Sequence, residues 1–507
     1  MENLKKYKPQ IIFHVVLNLL VGIFITFSSY YHLPLNYVSD YSIYFIHLLI
    51  LQFTFYGFLY VLSINKYVFY TIFPIFFFIY SMFSYWIYAQ DISISYSVIQ
   101  PVLESKFDIA IDLITTQFIV FGLIVVLVII YILKQYQKLK ITQIKSPLLV
   151  LALIAIISFF TLNTYGIGNL KWRMPYNLTY GFFEYYKNPI VKYSSINDSI
   201  NTETNDINIV FVLGESVRAK NLGLNGYYRN TTPQLKNLEN LVSFSNVYTP
   251  LTYTGISVPQ ILSNKSVFKQ NDSISLYSIY SILNKVNFQT TWIGNQTPEK
   301  SYSFLINENN NVELIDQFHD VFSFQKKLDE ELLPVFFSSF KKQTKTFTTL
   351  HMIGSHWWYE SRYPRGFEKY KPIIDSKHIP SLSKEQIINS YDNTMLYLDD
   401  FLNKVISIIE KTKTKTILIY LSDHGEILGE NGKWLHAQND KSSTNPAMLI
   451  WYSNEFKNAF PEKIKNLKNN SSKNITTDFF YHSILDLIDI KNFNYQKEKS
   501  VINDDFF

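Results

Sequence analysis

The run LSDHGEILGENGKWLH, residues 421–436, places an aspartate and a histidine side by side where the apolar stretch TILIYL stops. Carboxylate and imidazole are both ligands for first-row divalent metals, and the end of a parallel strand is where α/β sheets hold their ligands. His436 lies beyond a glycine-rich loop that could fold it back toward Asp423 and His424. An isolated Asp-His pair is more often a solvated turn with a stray histidine. The rest of the chain tips the balance, because the same residue types recur at the ends of other apolar runs. Glu215 directly follows INIVFVLG, and His351 and His356 follow TFTTL as HMIGSH. Convergence of such strand ends would build a metal site from residues far apart in the chain.

The elements that must position these groups are short β-branched or aromatic runs at 207–214, 288–294, 346–354, 416–423 and 447–453. Helical patterns such as 389–411 alternate with them, which predicts a mostly parallel sheet covered by helices on both faces. No internal repeat is visible, so a solenoid is set aside. The stretch 464–475 reads as a surface loop, and the tail after about 490 as loosely held.

The first third has a different texture. Five apolar segments, near 11–30, 42–64, 67–88, 114–133 and 147–162, approach or reach the length needed to cross a bilayer core of about 30 Å. The last is the shortest. A cleaved signal peptide would account only for the first, so a permanent anchor is expected. Lysines at 5, 6, 8, 66, 134, 138, 140 and 145 flank alternate connections. The other connections carry Asp40, Asp91, Glu104, Asp108 and Asp112, with Lys106 the basic exception. That pattern predicts a cytoplasmic N-terminus and an external C-terminal portion. His14 and His47 fall within spans without an acidic neighbour and are read as packing residues. The connection 90–113 is amphipathic and interrupted by Pro101, which suggests a surface-lying segment or an ordered loop. Residues 166–205 join the two parts, beginning with aromatics mixed with Lys171, Arg173, Lys187 and Lys192 as in an interfacial helix, and ending in a polar linker. The expected domains are therefore 1–165, 166–205 and 206–507.

The chain has 507 residues, a net charge of +5 and no cysteine. Disulfides, thiolate metal sites and cysteine nucleophiles are excluded, and no basic block suggests nucleic acid.

The motifs GESVRAKNLGLNGYYRNTTPQL (214–235), YTGISVP (253–259), LHMIGSH (350–356) and SDHGEILGENGKWLH (422–436) resemble the membrane-anchored phosphoethanolamine transferases of Gram-negative bacteria, in the alkaline phosphatase and sulfatase superfamily. The resemblance runs through the whole chain. It implies an N-terminal five-helix transmembrane bundle and a C-terminal α/β domain of alkaline-phosphatase/sulfatase type, in the inner membrane with the catalytic domain periplasmic. It further implies Thr254 as nucleophile, with Glu215, Thr254, Asp423 and His424 holding zinc, and manganese or magnesium as alternatives. His351, His356 and His436 match a second cluster for a second metal or for phosphate, His351 and His356 with catalytic roles, and Lys300 is the nearest match to a substrate lysine. The implied donor is phosphatidylethanolamine and the implied acceptor lipopolysaccharide or lipooligosaccharide, at a lipid A phosphate or core sugar, acted on by a monomer. One departure is the absence of the disulfides found in lipid A-modifying members: Gln260 follows Pro259, so packing must hold the nucleophile loop. The alternatives are a phosphoglycerol transferase of the lipoteichoic-acid-synthase type and a non-catalytic membrane protein on the same fold. Sulfatase activity is disfavoured, because the chain lacks the Cys/Ser-x-Pro-x-Arg context that formylglycine requires.

Overall fold

The computed structural model describes the chain apart from residues 1, 31–34, 93–95, 105–113, 140–146, 166–169, 188–192, 197–198, 269–274, 316–326, 341–344, 439 and 505–507. It divides into two units. One comprises Met1–Ile99, Leu113–Asn188 and Lys377–Ser381; the other comprises Gln100–Asp112, Pro189–Ser376 and Leu382–Phe507.

The first unit is built from α1 (Glu2–Val21), α2 (Val38–Ile64), α3 (Lys66–Gln90), α5 (Thr116–Gln137), α6 (Pro147–Thr164) and α7 (Tyr176–Lys187), with α4 (Tyr96–Glu104) beginning in this unit and ending in the other. Tyr7–Ser29, Val38–Ile64, Lys66–Gln90 and Thr116–Gln137 are long and apolar enough to cross a membrane, and Leu148–Thr164 is a shorter apolar helix. Aromatic spacing sets the packing. Phe69, Phe73 and Phe77 recur every four residues on α3, all buried, and Phe69 stacks on Phe73 with ring centres 4.7 Å apart. The outward faces expose Leu19, Leu127 and Ile157, each more than 60% accessible, as lipid-facing surfaces require. His14 packs between Tyr56 and Tyr60, and His47 Nδ1 lies 2.5 Å from the Tyr30 hydroxyl. α4 runs through Pro101 without the interruption expected there; Lys106, Asp108 and Asp112 lie outside the described residues.

The second unit is organised by a seven-stranded sheet: β1 (Asn208–Gly214), β2 (Leu241–Phe244), β3 (Gln289–Gly294), β4 (Asn311–Leu314), β5 (Thr346–His351), β6 (Thr416–Ser422) and β7 (Met448–Tyr452). Their order is β2-β7-β6-β1-β5-β3-β4. The five strands from β6 to β4 are mutually parallel, whereas β7 runs antiparallel to both β6 and β2. Strand β1 is buried along its whole length. Ile209, Phe211 and Leu213 join Ile282, Phe480 and Ile484 in one core, while Val210 and Val212 are equally buried toward the other face. Continuous apolar runs are what a sheet covered on both sides demands.

Two expectations give way here. The stretch 464–475 is largely helical, continuing Pro461–Asn470, because Ile464 and Leu467 sit one turn apart and both enter the core. The C-terminal tail is anchored by Val501 and Ile502, 1% and 5% exposed. The short edge strands β2 and β4 carry too little apolar sequence to be read in advance.

Candidate active site

Strand register does the first part of the assembly. Gly214 pairs with Ser422 and Leu213 with both His351 and Leu421, so three strands end level. The amide of Asp423 bonds the Gly214 carbonyl at 3.1 Å, which sets Glu215 and Asp423 next to each other one residue past the ladder. Gly214 is required at this point, since a Cβ would occupy the place of the Tyr420 hydroxyl. The chain then turns sharply at Ser216, whose φ is +60° and whose amide donates to Asp423 Oδ1 at 3.2 Å. Tyr391, on helix α10 (Lys384–Glu410), donates its hydroxyl to the Ser216 carbonyl at 2.7 Å and fixes that turn.

Thr254 opens the helix α8 (Thr254–Ile261) and donates its hydroxyl to Glu215 Oε2 at 2.8 Å. His424 Nε2 stands 3.3 Å from both Glu215 Oε1 and Asp423 Oδ2. Glu215, Asp423 and His424 are all buried, yet His424 Nε2 and Asp423 Oδ2 are satisfied by no hydrogen bond. Polar atoms left bare in such a place call for a partner. A tetrahedral ion with bonds of about 2.0–2.1 Å holds its donor atoms about 3.3–3.4 Å apart, the separation seen here. The donor set of oxygens and imidazole nitrogen fits a divalent metal.

Electrostatics agree. Burial alone would push His424 down, but Asp423 and Glu215 outweigh it and raise the imidazolium to about 10. Burial would raise Glu215, and His424 overrides it, holding that carboxyl well below the usual range. The Asp423 carboxyl is pushed up to about 7 by burial and by the neighbouring Glu215. Two buried carboxylates sharing one histidine are short of positive charge, which a dication supplies.

His436 and His356 belong to the same neighbourhood. Their rings are 5.4 Å apart, and His436 lies 4.7 Å from the ring of His424. His436 Nδ1 meets Glu426 Oε2 at 3.1 Å, and Tyr359 donates to the other oxygen of Glu426 at 2.8 Å. His424, Glu426 and His436 form a second group whose ligand atoms lie within 4.8 Å of one another. His356 is held by Arg362, which donates to its carbonyl at 2.8 Å. His351 stands apart from these rings, packed edge-on against Trp292 and Tyr302 with Nδ1 unpartnered. Burial holds His356 down at about 3 and His351 at about 4, in the neutral form that ligates metals. Lys300 opens α9 (Lys300–Ile306) as an exposed side chain and takes no part in the bonds that join Glu215, Thr254, Asp423 and His424.

Four contributors were missed in the sequence. Glu426 lies two residues past His424 in the same motif, and that proximity was the available signal. Gln296 donates to Glu215 Oε2 at 3.4 Å. Gln100 accepts from the Tyr253 hydroxyl at 3.2 Å and Glu299 packs against Gly255, and nothing in their local sequence marks them.

The sulfatase family model matches residues 207–490. The chain belongs to the sulfatase family. Among its relatives, phosphoethanolamine transferase EptA of Escherichia coli K12 is 29% identical over 316 residues, covering 58% of this chain and 55% of the relative. EptA of Helicobacter pylori is 33% identical over 296 residues, covering 56% and 54%. The chain thus matches about half the length of these relatives. The structure of lipooligosaccharide phosphoethanolamine transferase A from Neisseria meningitidis superposes with a TM-score of 0.82 at 23% identity, covering 96% of this chain and 97% of that one. The segment at Thr254 carries no cysteine, and Ser257-Val258-Pro259 is followed at position 261 by isoleucine and not by arginine, so the Cys/Ser-x-Pro-x-Arg context is absent there.

The segment that follows Thr254 is held by side-chain bonds. Gln260, fully buried, donates to the Lys265 carbonyl at 3.1 Å and accepts from Thr477 at 2.6 Å. Ser263 and Tyr193 both donate to the Pro259 carbonyl, at 2.6 and 3.2 Å. Gln260→Ala removes the partner of the buried Thr477 hydroxyl and the bond to the Lys265 carbonyl. It is expected to cost about 1–3 kcal/mol, read as a lowered unfolding midpoint of the detergent-solubilised protein.

Proposed function

We propose that this protein transfers phosphoethanolamine from phosphatidylethanolamine to a lipopolysaccharide or lipooligosaccharide acceptor, a lipid A phosphate or core sugar, through a covalent intermediate on Thr254. The observation that carries this reading is the Thr254 hydroxyl hydrogen-bonded to Glu215 in a buried group with Asp423 and His424. Support comes from relatives named for this activity and from the full-length fold shared with one of them.

Glu215, Asp423, His424 and Thr254 would hold the metal, for which zinc suits the mixed oxygen and nitrogen set. When bound there, it makes the threonine oxygen a stronger nucleophile and offsets charge on the phosphoryl group. Thr254 Oγ attacks the phosphorus of the donor, and the bond to the diacylglycerol oxygen breaks. The hydroxyl proton points at Glu215 Oε2 and passes to it, while His436, bonded to Glu426, would protonate the departing diacylglycerol oxygen. The acceptor oxygen then attacks the phosphothreonine and the bond from phosphorus to Thr254 Oγ breaks; the acceptor's proton passes to His436, and the proton held at Glu215 returns to Thr254. The positive end of α8 begins at Thr254 and favours the anionic phosphoryl group. His351, His356 and Lys300 are assigned to substrate phosphate, the histidines also to a second metal. The helices of residues 1–165 would anchor the chain in the inner membrane, with 166–205 at the interface and 206–507 in the periplasm, where donor and acceptor are both lipids.

Mass spectrometry of lipid A and core oligosaccharide from cells with and without the protein tests the reading. A phosphoethanolamine increment present only with the protein is expected. Identical spectra would reject lipopolysaccharide as acceptor.

A further inference from the structure

Asp329 is a buried acid to which the chemistry above gives no task. It stands in the helical turn Asp329–Glu331 and is 1% exposed. Its Oδ1 accepts the Ile353 amide at 2.9 Å and the Asn295 side chain at 3.0 Å, and its Oδ2 accepts the Gly354 amide at 2.9 Å. Arg362, equally buried, takes the other end of the same loop. Its Nε donates to the His356 carbonyl at 2.8 Å, and a terminal nitrogen donates to the Trp357 carbonyl at 3.1 Å. An acid thus holds the donors of the stretch 353–357, and a base holds its acceptors. Burial disfavours the Asp329 carboxylate, and its three hydrogen bonds and the charge of Arg362 oppose that.

Between these two grips the loop bears on the site. Gly354 has a φ of +53°, and a Cβ there would lie 2.7 Å from the Glu215 carbonyl oxygen and 2.9 Å from its amide nitrogen. The Ser355 amide donates to that same carbonyl at 3.0 Å. Glu215 is set independently by the ladder of β1 and the turn at Ser216, so it serves as a fixed floor for the loop. His356 belongs to no strand. The path of the loop alone brings its ring to 5.4 Å from that of His436. Hydrogen bonds to ionised groups are roughly twice as strong as neutral ones, and here they fall on both sides of the histidine's turn. A misplacement of about 1 Å in a group that handles substrate can cost about a hundredfold in rate. We propose that Asp329 and Arg362 are positioning residues that act on the reaction through His356. This assignment rests on the function proposed above, in which His356 meets the substrate phosphate.

The test is a double-mutant cycle on diacylglycerol release from phosphatidylethanolamine in mixed micelles by full-length, metal-replete protein. Asp329→Asn sets a donor against one of the donors it now accepts, whichever way the new amide turns. That variant and His356→Ala are each expected to lower kcat/KM at least about tenfold, and the double variant to fall no more than about threefold below His356→Ala. A merely structural role would make the two losses multiply, to about a hundredfold or more. Arg362→Lys keeps the charge and loses the fork that spans two carbonyls. It is expected to show the same non-additivity with His356→Ala, and it serves if Asp329→Asn does not fold. Losses that multiply in either folded variant, or a folded Asp329→Asn or His356→Ala protein as active as wild type, overturn this assignment alone. Wild type that releases no diacylglycerol from phosphatidylethanolamine overturns the proposed function, and this assignment with it.

Discussion

Thr254→Ala is expected to abolish transfer, lowering kcat by at least about 10³-fold, because the Thr254 hydroxyl meets Glu215 at the start of a helix, whereas the other hydroxyl bonded to Glu215, that of Ser216, lies in a turn. The loss should be chemical and not structural. The methyl-sized change removes one hydrogen bond, at about 1 kcal/mol, and leaves Glu215, Asp423 and His424 in place. Intact-protein mass spectrometry after mixing with donor alone separates the two cases. Wild type should gain one phosphoethanolamine, the alanine variant none, and Thr254→Ser should regain the adduct. An adduct on the alanine variant would move the nucleophile elsewhere.

Removing the metal is expected to have an effect of similar size. Chelation should bring transfer to background, and zinc should restore it, with metal analysis giving bound divalent ion in the active form. A second consequence separates this from simple inhibition. Without a cation, Glu215 and Asp423 confront each other in a buried site, so the unfolding midpoint of the metal-free protein should fall. A ligand that binds only the folded form stabilises it in proportion to its affinity. Full activity in protein shown to lack divalent ions would exclude the proposed metal role.

The strands that carry the site were legible because each is a continuous apolar run ending in a polar motif, the signature of a strand buried on both faces. Convergence of Glu215, Asp423 and His424 followed from topology alone, since parallel strands in register end together. Three features escaped. Nothing in the composition of AMLIWY distinguishes an antiparallel neighbour from a parallel one, and the direction of β7 is set by the connection that precedes it. Glu426 looked like one more loop acid until Tyr359 and His436 were seen on either side of it. Gln100 lies more than 150 residues before Tyr253, in a stretch read only as amphipathic, and its meeting with the residues around Thr254 has no local trace. The motif from Gly214 to Leu235 was read for its likeness to a family, and its structural work is mechanical. Asn221, Tyr227 and Arg229 all bond the buried Asp392 of α10, at 2.7, 2.9 and 2.9 Å, and so brace the loop that follows Glu215.

The amide of Gln260 secures the loop around Thr254 without a covalent cross-link. Its bonds form as the chain folds and need no oxidant, so maturation of this domain calls on no thiol oxidoreductase. With no cysteine in the sequence, a reductant has nothing here to cleave, so thiol reagents should leave the unfolding midpoint unchanged.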